Sequence, residues 1–108
     1  MQGGASVELV GFQVTSERLE DGTCVVVVAG ELDLYTVPEL ERALLAAEGA
    51  RSVAVELSEC TFIDSTAIGI LLAAKRRIGR LSLLGAPSAV RRPFELTGLD
   101  REFQWGSE

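Results

Sequence analysis

The chain contains no histidine, and that absence narrows its chemistry more than any other feature of its composition. Imidazole is the side chain best suited to general base work near neutral pH and a leading zinc ligand. Cysteine is nearly as scarce. Cys24 stands at a strand start and Cys60 in an expected loop, with none of the CxxC spacing that builds a zinc site. Both read as free thiols in a reducing compartment. The single lysine, Lys75, follows no glycine-rich loop, so a Walker-type phosphate cradle is excluded. Basic residues are outnumbered, and a net charge of −6 speaks against nucleic acid held through its phosphates. No apolar run approaches membrane-spanning length, and no charged-then-apolar leader opens the chain. Together these absences describe a cytoplasmic protein with no membrane insertion, no metal, no cofactor and no catalytic residue.

What is present suits one compact domain. The 108 residues are 47% hydrophobic and 24% charged, enough apolar surface for a single core. Residues 1–6 are expected to be a flexible lead, 7–105 the domain and 106–108 a tail. Val7 to Thr15 alternates loosely and reads as one strand, followed by a turn at Glu20-Asp21-Gly22-Thr23. Val25 to Ala29 is an unbroken β-branched run, expected of a strand covered on both faces. Thr36 is a natural N-cap, with Pro38 in the first turn and Leu40, Ala43, Leu44 and Ala47 at helical spacing. Val53, Val55 and Leu57 alternate as a strand. Ile68, Leu71, Leu72 and Ile78 then form the stripe of a helix closed by Lys75, Arg76 and Arg77, cations that suit its C-terminal dipole. A strand from Arg80 to Gly85 and a helix from Pro87-Ser88 to about Thr97 complete the pattern. The expectation is an α/β fold whose mixed parallel and antiparallel sheet has about four to five strands, with helices on one face at least.

The most informative stretch is Phe62-Ile63-Asp64-Ser65-Thr66-Ala67-Ile68-Gly69, where a strand gives way to a helix. Backbone N–H groups at a helix start lack intrahelical partners, and the macrodipole presents its positive end there. Such a place welcomes an anion, and phosphorylating Ser65 would create one in position. The same three polar residues are also ordinary N-caps of any helix. No nucleophile elbow surrounds Ser65, and Asp64 is its direct neighbour, so their side chains diverge instead of forming a base–nucleophile pair.

With its flanks, this stretch resembles the phosphorylation motif of STAS domains, in particular the bacterial anti-sigma factor antagonists. The resemblance runs from about Val7 to Phe103 through landmarks in order: Val25 to Asp33 with its Gly-Glu-Leu-Asp ending, Val53 to Ser58 followed by Phe62 to Ser65, Leu81 to Gly85, and Phe94 to Leu99. It implies a STAS-like single domain, Ser65 as phosphoacceptor, and a partner-binding set of Asp33, Asp64, Ser65, Thr66, Ala67 and Gly69. It further implies that the unphosphorylated protein captures an anti-sigma factor serine kinase with a histidine-kinase-like ATPase fold and so frees a sigma factor. The same kinase would phosphorylate the serine and let go, and a separate serine phosphatase would reset it.

Three departures from the family pattern stand out. Ala67 replaces a common glycine, and its methyl is expected to crowd a close-docking partner. Glu56 stands where an aspartate often precedes Leu-Ser. Many members carry another helix beyond Phe103, where Trp105 is here expected to cover an apolar edge. The alternative function is a non-switching STAS module, a subunit of a lipid-transport ATPase complex or a stressosome component, in which Ser65 is only a cap.

Overall fold

The computed structural model describes residues 4–9 and 11–107. Chain order runs β1 (Ala5–Leu9), β2 (Phe12–Arg18), β3 (Thr23–Leu32), α1 (Val37–Ala46), β4 (Ser52–Ile63), α2 (Ser65–Ile78), β5 (Leu81–Leu84), α3 (Ser88–Thr97), a 3-10 turn (Leu99–Glu102) and β6 (Gln104–Gly106). The strands form one sheet in sequential order. β1–β2 and β2–β3 pair antiparallel, and the three pairings from β3 through β6 are parallel. Each pair of parallel strands is joined through a helix, as parallel neighbours require. The expected α/β class and mixed sheet hold, with six strands where the sequence suggests four to five. β6 is too short, at three residues, to show a sequence period. β1 begins at Ala5, inside the stretch expected as a lead, and residues 1–3 lie outside the described residues.

Four local expectations need correcting. Val7 to Thr15 is two strands, because the chain reverses between Leu9 and Phe12, with Gly11 at φ +72° supplying a backbone that other residues rarely adopt. β3 is covered on one face: Cys24, Val26, Val28 and Leu32 are buried while Val25 and Val27 between them are half-exposed. Its β-branched run reflects strand propensity more than two-sided burial. Cys60 lies in β4, whose pairing with β3 continues to Ile63. β4 reaches that far through two irregularities. Val27 faces Glu56 and Ala29 faces Glu59, then Gly30 faces Cys60 and Glu31 faces Phe62, so β4 gains an extra residue each time. The fourth concerns α1, where Thr36 occupies the N-cap position but its side chain caps nothing.

The buried residues form one cluster: Val26, Val28 and Leu32 from β3, Val53, Val55 and Leu57 from β4, Leu40 and Leu44 from α1, Ala67 and Leu71 from α2, and Phe94 from α3 among them. Among the described residues no polar or charged residue is buried. The domain is therefore held by hydrophobic burial and the backbone ladders of the sheet. At the far edge Phe94 meets Phe103 and Trp105 edge-on, with ring centroids 5.4 and 5.0 Å apart. Trp105 donates its indole N–H to the Asp100 carbonyl at 2.8 Å, and the Arg91 guanidinium lies 4.6 Å from its ring centroid. Trp105 thus covers the apolar edge of α3 and β5, as its position suggests.

Gly30 is a point where no side chain fits. Its φ is +102°, and a Cβ there would collide with the Gly11 carbonyl oxygen in the turn between β1 and β2. Gly30→Ala is expected to lose about 1–3 kcal/mol of stability, read as a lower urea midpoint with an unchanged slope. Both cysteines are buried and free, and burial pushes each thiol above its ordinary pKa. Neither should react with a thiol reagent at pH 8 in the native protein. Both should react once it is unfolded, and fast native labelling of Cys60 would contradict its position in β4.

Candidate functional site

The chemistry-bearing residues gather at the carboxyl ends of β3 and β4. Leu32 and Ile63 are opposite each other, so Asp33 and Asp64 leave the sheet at adjacent positions. The Asp64 N–H donates to the Leu32 carbonyl at 3.1 Å and ties the start of α2 to the end of β3. In parallel sheets this end, outside the strand carboxyl termini, is where ligands and partners are usually met.

Asp64 is the N-cap of α2, with extended backbone at φ −110° and ψ 178°. Its Oδ1 accepts the Ala67 N–H at 3.1 Å, and its carbonyl accepts the Ile68 N–H at 3.2 Å. That leaves the N–H groups of Ser65 and Thr66 in the first turn without intrahelical acceptors. Ser65 is the first helical residue and is solvent-exposed, as is Thr66. A phosphate on the Ser65 hydroxyl would sit at the positive end of a 14-residue helix. Gly69, one turn on, faces open space.

Ala67 is the exception among the expected partner contacts. It is 0% exposed, its methyl packed in the core, so its side chain neither crowds nor touches a docking partner. The N-cap geometry explains this, since fixing Asp64 as cap turns the third residue of the helix inward. The concern raised by alanine at that position disappears.

Asp33 has a local task as well. Its Oδ1 accepts the N–H groups of Tyr35 at 2.9 Å and Thr36 at 3.1 Å, and its carbonyl accepts the Val37 N–H at 2.9 Å. The Thr36 hydroxyl in turn donates to the Glu31 carbonyl at 2.7 Å and accepts the Asp33 N–H at 3.0 Å. Asp33 therefore supplies the carboxylate that accepts the N–H groups leading into α1, and the Thr36 hydroxyl braces the same turn. The structure brings Asp33, Asp64, Ser65, Thr66 and Gly69 to one end of the molecule and removes Ala67 from its surface.

Three apolar residues to which the sequence assigned no role join this end. Leu34 is 63% exposed, Tyr35 84% and Phe62 47%. The only sequence hint was a pair of apolar residues placed between two turn-forming ones, Asp33 and Thr36. No cluster of three or more metal-ligating side chains occurs among the described residues. Among them, too, no helix is long and apolar enough to cross a membrane.

Fold and site together define a small α/β binding domain whose polar end is a capped, accessible helix start. The family model described as "Mlab, STAS domain" matches residues 15–104. The chain belongs to the STAS domain family. The anti-sigma-B factor antagonist of Staphylococcus aureus is 39% identical over 78 residues, which cover 67% of this chain and 72% of that protein. The crystal structure of an anti-sigma factor antagonist from Mycobacterium paratuberculosis is 33% identical with a TM-score of 0.79, covering 88% of this chain and 85% of that one. The anti-sigma factor antagonist SpoIIAA in its unphosphorylated form is 25% identical with a TM-score of 0.73, covering 90% and 89%. A Bacillus SpoIIAA in its phosphorylated form shares the fold, at 24% identity and a TM-score of 0.67 over 90% and 92%.

Removing the cap should loosen α2 without disturbing the core. Asp64→Ala is expected to cost about 1 kcal/mol, while Asp64→Asn, which keeps the accepting oxygen, should cost a few tenths at most. Equal losses for both in denaturant unfolding would show that the charge, and not the hydrogen bond, carries the effect.

Proposed function

We propose that this chain is an anti-sigma factor antagonist: unphosphorylated, it captures an anti-sigma factor and releases a sigma factor, and phosphorylation of Ser65 ends the capture. The observation that carries this reading is the exposed Ser65 hydroxyl at the first position of a capped helix, in a chain similar to proteins named as such antagonists. The kinase is the anti-sigma factor itself, an ATPase of histidine-kinase-like fold. It transfers the γ-phosphoryl group of ATP to Ser65 Oγ, forming the ester and releasing ADP and the hydroxyl proton. A serine phosphatase hydrolyses the ester to serine and inorganic phosphate. Both steps belong to the cytoplasm, where ATP is available, and the antagonist contributes no catalytic group.

The electrostatics favour release. Phosphoserine adds about −1.5 to −2 charges at pH 7. Within the domain the helix N-terminus stabilises that charge, so α2 stays folded. Toward a docked partner the effect is the reverse, because the dianion is bulky and is repelled by any partner carboxylate set opposite Ser65. A hundred- to thousandfold loss of affinity needs only about 3–4 kcal/mol, within what one mismatched interfacial charge can cost.

The test is a pull-down from native lysate with Ser65→Ala and Ser65→Asp baits in parallel, read by mass spectrometry. The expected outcome is a histidine-kinase-like ATPase held by Ser65→Ala and lost by Ser65→Asp. If both baits hold the same transporter ATPase or stressosome protein, Ser65 is only a cap and the module does not switch.

A further inference from the structure

The end of the domain that carries Ser65 also carries apolar surface that the fold leaves uncovered. Six large hydrophobic residues are exposed among the described residues, and half of them, Leu34, Tyr35 and Phe62, lie at the carboxyl ends of β3 and β4. Tyr35 rims a groove of about 500 Å3 that is also lined by Glu31, Asp33, Thr36 and Thr61. Phe62 stands opposite Glu31 in the β3–β4 register. An aromatic face beside two carboxylates is a surface for a guanidinium or ammonium group, which gains from the ring quadrupole and the negative charges together.

We propose that Tyr35 anchors the anti-sigma factor, and that the groove it rims receives an arginine or lysine side chain from that partner. The proposal rests on the antagonist reading and deepens it. Charge selects the occupant: a second copy of this chain, at net charge −6 and with the same acidic rim, would be repelled, and so would nucleic acid. A basic patch on the kinase would be attracted. The backbone that carries the anchor is also ordered before docking, because Asp33 Oδ1 already holds the Tyr35 and Thr36 N–H groups at 2.9 and 3.1 Å. Little loop entropy is then lost on binding, a common property of strong anchors. Docking thus has a constant part at Tyr35 and a switched part at Ser65. Phosphorylation leaves the constant part in place, and the bulk of the phosphate at Ser65 opposes it.

The measurement uses the full unphosphorylated chain and the purified ATPase recovered on the Ser65→Ala bait, by calorimetry and by association kinetics at several salt concentrations. Tyr35→Ser is expected to weaken binding about tenfold or more, and Tyr35→Phe to stay within about twofold of the parent. Glu31→Gln should weaken it about two- to fivefold, chiefly through slower association with a flatter salt dependence. Leu96→Ser, a variant of another exposed residue, 72% accessible on α3, should bind like the parent. Melting curves matching the parent's confirm that each variant is folded. A folded Tyr35→Ser protein binding within twofold of the parent overturns the anchor and leaves the antagonist reading standing. If the parent itself does not bind the ATPase, the antagonist reading falls and the anchor with it.

Discussion

Everything at the working end of this domain depends on the parallel pairing of β3 with β4. A 10-residue strand and a 12-residue strand run side by side until Leu32 meets Ile63. That register delivers Asp33 and Asp64 to adjacent exits, and the bond from the Asp64 N–H to the Leu32 carbonyl locks the second exit to the first. The two bulges on β4 let the longer strand keep pace while its later residues are re-aimed. Without them the register set by Thr23 and Ser52 would bring Leu32 opposite Thr61 and not Ile63, and Asp33 and Asp64 would not leave the sheet side by side. Gly30 sits within this stretch, where a side chain would strike the turn between β1 and β2.

The same two aspartates brace the backbone and place charge at the surface. Each spends a carboxylate oxygen on backbone N–H groups, Asp64 on Ala67 and Asp33 on Tyr35 and Thr36. Each also leaves negative charge at the rim of this end. Charge is distributed along α2 in a matching way. Its start carries the acidic cap, and its last turn carries Lys75, Arg76 and Arg77, with Arg77 paired to Glu48 at 2.8 Å. The two ends are about 20 Å apart at the ordinary helical rise. A phosphate at Ser65 would deepen this polarity without reversing it.

The Asp-Ser-Thr junction was legible in the sequence because it combines a strand period, a change of period and residues with a known chemistry at helix starts. The α/β class followed from the same alternation. Other features were not legible, for physical reasons that lie outside local pattern. Ser58-Glu59-Cys60-Thr61 looks like a loop because it is polar, yet long-range pairing with Ala29 to Glu31 makes it strand. Leu34 and Tyr35 look like core residues, and only the carboxylate of Asp33, by fixing the turn, shows that they point away from it. Ala67 looked like a surface obstacle until the cap geometry turned it inward. In each case a hydrogen bond between distant or unlike partners outweighed the local preference.

The chain's only tryptophan has a position with a spectroscopic meaning. Trp105 lies on β6, wedged against Phe94 and Phe103 beneath a guanidinium, beyond β5 and away from the strand ends that carry Ser65. Its emission is consequently a gauge of whether the last strand is seated, and is insulated from chemistry at the serine. Intrinsic fluorescence would therefore follow the undocking of the C-terminal edge as a separate event from the switching of the domain.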